Sequence, residues 1–114
     1  MAKVLLLGLE NSLSEDLYQA LTRLGHRVQL AAFNLLTVET TDAELIFAPS
    51  SDLRAILGKR ADIPVVVTSR LPEVSAWLDA LQDGAADYCG APFEATQVGW
   101  ILNSTLGCHR AAAA

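Results

Sequence analysis

The chain has 114 residues, enough for one domain that buries about two thirds of the surface its unfolded form exposes. Hydrophobic residues make up 52% and charged residues 18%, which excludes a disordered chain and leaves some apolar surface to share with a partner. The net charge of −5, from 13 acids against 8 bases, excludes a nucleic-acid-binding face, which needs clustered positive charge.

No apolar run reaches the roughly 18 residues of a membrane span, so a cytosolic domain with no membrane contact is expected. The early run VLLLGL is too short, and acids rather than a cleavage signal follow it.

Lys3 to Gly8 (KVLLLG) is a continuous apolar run, the mark of a strand buried on both faces of a parallel sheet. Ser12-Leu13-Ser14-Glu15 reads as a capping box. It opens a helix with Leu13, Leu17, Leu21 and Leu24 on one face and Gly25 as its left-handed stop. His26 to Ala31 and Glu44 to Ala48 read as the second and third strands. The segment between them, AFNLLTVETTDA, holds at best a short or irregular helix. Ser50-Ser51-Asp52 then caps a helix through Leu53, Ile56 and Leu57, ended by Gly58, and Pro64 to Thr68 makes a fourth buried strand.

Pro72 suits a helix N-terminus, and Val74, Trp77, Leu78 and Leu81 follow on one stripe until Gly84. Asp87 to Gly90 reads as a short fifth strand. Phe93 to Leu106 reads as a last helix carrying Val98, Ile101, Leu102 and Leu106. Strands alternating with helices predict right-handed crossovers and a parallel five-stranded sheet covered on both faces, in one three-layer α/β domain over residues 1–110. Residues 111–114, all alanine, read as a tail or the start of a linker.

Cys89 and Cys108 have neither a CxxC spacing nor nearby ligand partners and read as free thiols. No serine, cysteine or acid is placed to make a catalytic set with His26 or His109. No cofactor and no enzymatic activity are expected.

The stretch from Gly84 to Phe93, G-A-A-D-Y-C-G-A-P-F, resembles the fifth-strand motif of the receiver domain of bacterial response regulators, commonly G-A-x-D-Y-L-x-K-P-F. The run IPVVVTS from Ile63 to Ser69 and the turn ALQDGA from Ala80 to Ala85 are similar to the same family. The resemblance spans nearly the whole chain. It implies a flavodoxin-like, CheY-like doubly wound fold with strand order 2-1-3-4-5 and a site at the carboxyl ends of the strands.

In such receivers two acids after the first strand and an aspartate after the third hold magnesium, and that aspartate takes the phosphoryl group. A lysine after the fifth strand and a hydroxyl after the fourth support it. Matched to those positions, this sequence has Gly8 and Leu9 for the acidic pair, Pro49 for the phospho-acceptor and Ala91 for the lysine. Glu10, Ser69 and Tyr88 remain. Glu10 reads either as a leftover ligand or as a solvated first-turn acid, and Ser69 as a hydroxyl at a strand end. Asp52, three residues past Pro49, cannot replace the acceptor without a register slip. The resemblance therefore implies a pseudo-receiver, part of a two-component-type regulatory protein and independent of phosphorylation.

The family's fourth helix, fifth strand and fifth helix form its output and dimerisation face, which here carries Trp77, Tyr88 and Trp100. Trp77 shares the stripe of Val74 and Leu78 and reads as core or as interface, whereas Trp100 lies off the stripe of its helix. The expected partner is another protein or a second copy. The alternatives are a phosphorylatable receiver, or a small-ligand-binding α/β domain. A dinucleotide site would need GxGxxG, and LENSLS follows Gly8 with no further glycine. A cobalamin site would lack its histidine.

Overall fold

The computed structural model describes the backbone of residues 2–60, 62–69, 74–90 and 93–113, and the side chains of these except 74–77, 95 and 107–113. Five strands, β1 (Lys3–Leu7), β2 (Arg27–Ala31), β3 (Leu45–Ala48), β4 (Val65–Ser69) and β5 (Asp87–Gly90), form one parallel sheet in the order β2-β1-β3-β4-β5. Helices α1 (Asn11–Arg23), α2 (Leu35–Thr40), α3 (Leu53–Lys59), α4 (Val74–Gln82) and α5 (Ala95–Ala113) alternate with them. This is the doubly wound flavodoxin-like architecture expected from the strand–helix alternation.

The three inner strands are apolar because they are buried on both sides. Val4 and Leu6 of β1 join Leu17 and Leu21 of α1 and Val98 and Leu102 of α5 in one core layer. Leu5 and Leu7, pointing the other way, join Val38 of α2, Leu53 and Ile56 of α3 and Ala80 of α4. The edge strand β2 has no fully buried residue, and its apolar content drops accordingly.

Local structure departs from the expectations at α1, α3 and α4. The Ser12–Glu15 capping box does not form. The backbone enters the left-handed region at Gly8 (φ +70), and α1 begins at Asn11 with Glu10 as its N-cap, so Ser12 lies inside the helix and donates to Glu10 Oε1 at 3.4 Å. Gly58 does not stop α3, which runs on to Lys59. The chain leaves the helix at Arg60 (φ −139, ψ 78), whose guanidinium donates to the carbonyls of Glu39 (3.1 Å) and Thr41 (3.0 Å) and so caps the far end of α2. The segment between β2 and β3 does hold a short helix, α2, six residues long and opened by Asn34, whose Oδ1 accepts from Leu36 N at 2.8 Å.

The third departure concerns α4. Leu78 and Leu81, expected in the core, are 51% and 37% exposed, while Ala80 is buried. The small side chain at Ala80 lets the helix approach the sheet, and the two leucines are left on the outside. Gly25 (φ +86) and Gly84 (φ +106) supply the left-handed turns after α1 and α4 as read from the sequence. Among the described residues no helix is long and apolar enough to cross a membrane.

Candidate functional site

Strand order reverses between β1 and β3, so their connections leave toward opposite faces and open a crevice at the carboxyl ends of the strands. A cavity of about 530 Å³ occupies that crevice. Gly8, Leu9 and Glu10 enter it from the end of β1, Pro49, Ser50 and Ser51 from the end of β3. Thr68 and Ser69 of β4 and Tyr88 of β5 close the other side, with Leu13 and Val67 as apolar wall. The sequence-derived positions 8, 9, 10, 49, 69 and 88 thus converge on one rim. Ala91 lies outside the described residues.

The geometry gives each position a character. At Gly8 an added Cβ would stand 2.7 Å from Asp52 Oδ2 and 3.3 Å from Phe33 Cβ, and the positive φ disfavours any side chain there. An acid at position 8 would have to displace both neighbours. Leu9 is half-buried and packs against the α1–α5 core layer. Glu10 is exposed at the head of α1. Pro49 ends β3 with extended backbone (φ −72, ψ 157), and its carbonyl accepts from Asp52 N at 3.1 Å.

Asp52 lies three residues past Pro49, as read from the sequence, yet its carboxylate comes back to the rim. No register slip occurs. A 3-10 turn over Ser50–Asp52 folds the chain back and sets the Asp52 carboxylate against Gly8, on the side of the rim facing Phe33. It makes no hydrogen bond or ion pair with the described residues, and burial pushes its pKa above the ordinary aspartate value. The signal available in the sequence was Gly8 itself, since a glycine at a strand end leaves room for another side chain.

Thr68 is buried and donates to Ala48 O at 3.3 Å, tying β4 to β3 beneath the cavity. Ser69 is half-buried at the end of β4, in register with Gly90. Tyr88 is half-buried against the α2–α4 core layer. Among the described residues no group of three or more His, Cys, Asp or Glu side chains is placed to hold a metal ion. Cys89 is fully buried, and burial, with Asp87 adding to it, pushes its thiol up to about 12. Nδ1 of His26 accepts from Ala2 N at 3.0 Å, and burial lowers its pKa. The side chains of Trp77, Cys108 and His109 lie outside the described set.

A second feature lies at the β5 edge. Helices α4 and α5 flank β5 on opposite faces of the sheet, and each presents apolar side chains to solvent: Leu78 and Leu81 from α4, and Trp100, 67% exposed, from α5. The α5 stripe of Val98, Ile101, Leu102 and Leu106 is buried as read from its spacing, which turns Trp100 outward.

The sheet order and the rim cavity define a class: this is the fold of the CheY-like response regulator receiver domain. The chain is similar to a CheY-like response regulator receiver domain protein from Methanospirillum hungatei, at 15% identity over 98% of both chains with a TM-score of 0.82. It is also similar to a response regulator receiver domain protein from Clostridium thermocellum, at 16% identity over 98% of this chain and 99% of that one, TM-score 0.79. NtrX from Brucella abortus matches at 19% identity with a TM-score of 0.84 over 98% of this chain but 29% of its own, so the chain spans under a third of that protein. At such identities the likeness is one of fold. No protein-family description and no curated sequence match the chain.

Proposed function

We propose that this chain is a receiver-like signalling module that works by protein contact, without aspartyl phosphorylation, as part of a two-component-type regulatory protein. The observation that carries the reading is the exposure of Leu78, Leu81 and Trp100 on the two helices flanking the edge strand β5. Aromatic and aliphatic side chains left in water on adjoining elements favour a partner that covers them. A second copy of the chain is the proposed partner, since the same face can serve both subunits of a two-fold dimer.

The rim supports the other half of the reading. Glycine, leucine and proline at 8, 9 and 49 offer no carboxylate for magnesium or for a phosphoryl group. The Asp52 carboxylate reaches Gly8 from the turn after β3, three residues past Pro49.

Two measurements test this. Light scattering should report a dimer that Trp100→Glu or Leu78→Glu converts to monomer with little change in Tm. A wild-type monomer at high concentration would refute the self-association. Magnesium with a phosphoryl-donor analogue should leave tryptophan fluorescence unchanged, and a saturable change would restore the phosphorylatable alternative.

A further inference from the structure

We infer that the free edge of β2 takes up an extended segment of a partner protein as a sixth strand, with an acid of that segment set against Arg27 and apolar residues against Val28 and Leu30. This surface lies at the opposite edge of the sheet from β5.

The backbone hydrogen bonds show which groups of β2 are left over. Arg27 N donates to Ala2 O and Gly8 N donates to Ala31 O, both at 2.9 Å, so residues 27, 29 and 31 turn their backbone groups toward β1. Alternation along the strand then turns the N–H and C=O of Val28 and Leu30 outward. Among the described residues β2 pairs with β1 alone, which leaves those groups to water.

Edge strands of soluble proteins are commonly kept from pairing by shortness, proline, a bulge or a lysine. None of these protects β2. It runs for five residues, as many as β1 and β4, in unbroken register with β1, and reads RVQLA. Leu30, on the same side of the sheet as the half-buried Val28, is 51% exposed.

Charge selects the occupant. Lys3, Arg54, Lys59 and Arg60 each pair with a carboxylate. Arg23, at the end of α1, and Arg27, the first residue of β2, are exposed and have no such partner among the described residues. In a chain of net charge −5, two unpaired cations thus stand at the entry to this edge. A second copy does not answer them, because the stretch from His26 to Asn34 holds no acid to set against Arg27 when two β2 edges meet. An acid-bearing segment does. In antiparallel pairing the residues opposite Val28 and Leu30 exchange backbone hydrogen bonds with them, while the residue opposite Arg27 falls in a non-hydrogen-bonded pair, where side chains approach most closely. Read in its own direction, the segment is then apolar, any residue, apolar, acid.

The test uses the full chain and the capped hexapeptide acetyl-SVTVES-amide, whose valines meet Leu30 and Val28 and whose glutamate meets Arg27. Followed by amide NMR, it should give saturable shifts centred on Val28 and Leu30. At about ten times its Kd it should slow hydrogen exchange of those two amides about tenfold, since they are then free in only about a tenth of the molecules. The same peptide N-methylated at both valines has lost the donors of the new ladder and should not bind. A peptide with lysine in place of glutamate should bind at least about threefold more weakly, and Arg27→Glu should reverse that preference.

No saturation up to about 10 mM peptide, equal binding by the N-methylated peptide, or an unchanged preference in Arg27→Glu would each overturn the inference. So would protection of the Val28 and Leu30 amides that rises with protein concentration in the absence of peptide, which would give the edge to a second copy.

Discussion

Asp52 carries a cost at neutral pH. Its carboxylate is partly removed from water, has no partner among the described residues and has a pKa raised by that burial. A raised folded-state pKa means that the folded chain binds the proton more tightly than the unfolded chain. Stability therefore falls as pH rises from the unfolded value near 3.8 through the folded one, and the deficit persists above it. Asp52→Asn, which keeps the shape and removes the charge, should raise Tm at pH 7 by about 1–2 °C, and the gain should vanish below about pH 4. Thermal melts across pH check both the size and the sign. Burial also raises the pKa of Cys89, but its thiol is neutral at pH 7 and carries no such cost. With its thiol pushed up to about 12 and fully buried, it should not react with a thiol reagent in a Cys108→Ser variant until the chain unfolds. The residue scale is also where the sequence was hardest to read, because position 52 is three residues from Pro49 along the chain yet its carboxylate meets Gly8, at the end of the neighbouring strand β1.

Among the elements, α2 depends most on help from elsewhere. Six residues are too few to hold a helix in water, and α2 buries only Val38. Its two ends are secured by Asn34 and, from beyond α3, by Arg60, which reaches the carbonyls of Glu39 and Thr41. The ion pair of Arg60 with Asp62 is exposed on the acid's side and adds little. Arg60→Ala should lower the urea midpoint at unchanged slope, through the lost charged hydrogen bonds to α2. Restoring only the charge with Arg60→Lys should recover less than half, since lysine lacks the fork that reaches several carbonyls at once. The sequence showed that the segment after β2 was short of helical content. It did not show that Arg60 would supply the missing cap, since the two are 19 residues or more apart.

At the scale of the whole molecule, the core divides into two layers separated by the sheet, and Phe47 of β3 lies fully buried in the α1–α5 layer. Phe47→Ala should cost about 3–5 kcal/mol, a large share of the roughly 5–15 kcal/mol that holds a domain of this size folded. Denaturant unfolding measures it. Runs of apolar residues in the sequence determined by themselves that β1, β3 and β4 are inner parallel strands, because only burial on both faces tolerates such runs. The identities at 8, 9 and 49 likewise left those three positions without a carboxylate whatever the fold did with them. Two matters were left for the tertiary structure to decide. One is which side of α4 faces outward, since a helix rotates about its axis to suit its neighbours, and Ala80 fits the sheet more closely than leucine would. The other is where the Asp52 carboxylate comes to rest, because that is fixed by a 3-10 turn and by the room left at Gly8, contacts between segments far apart in the chain.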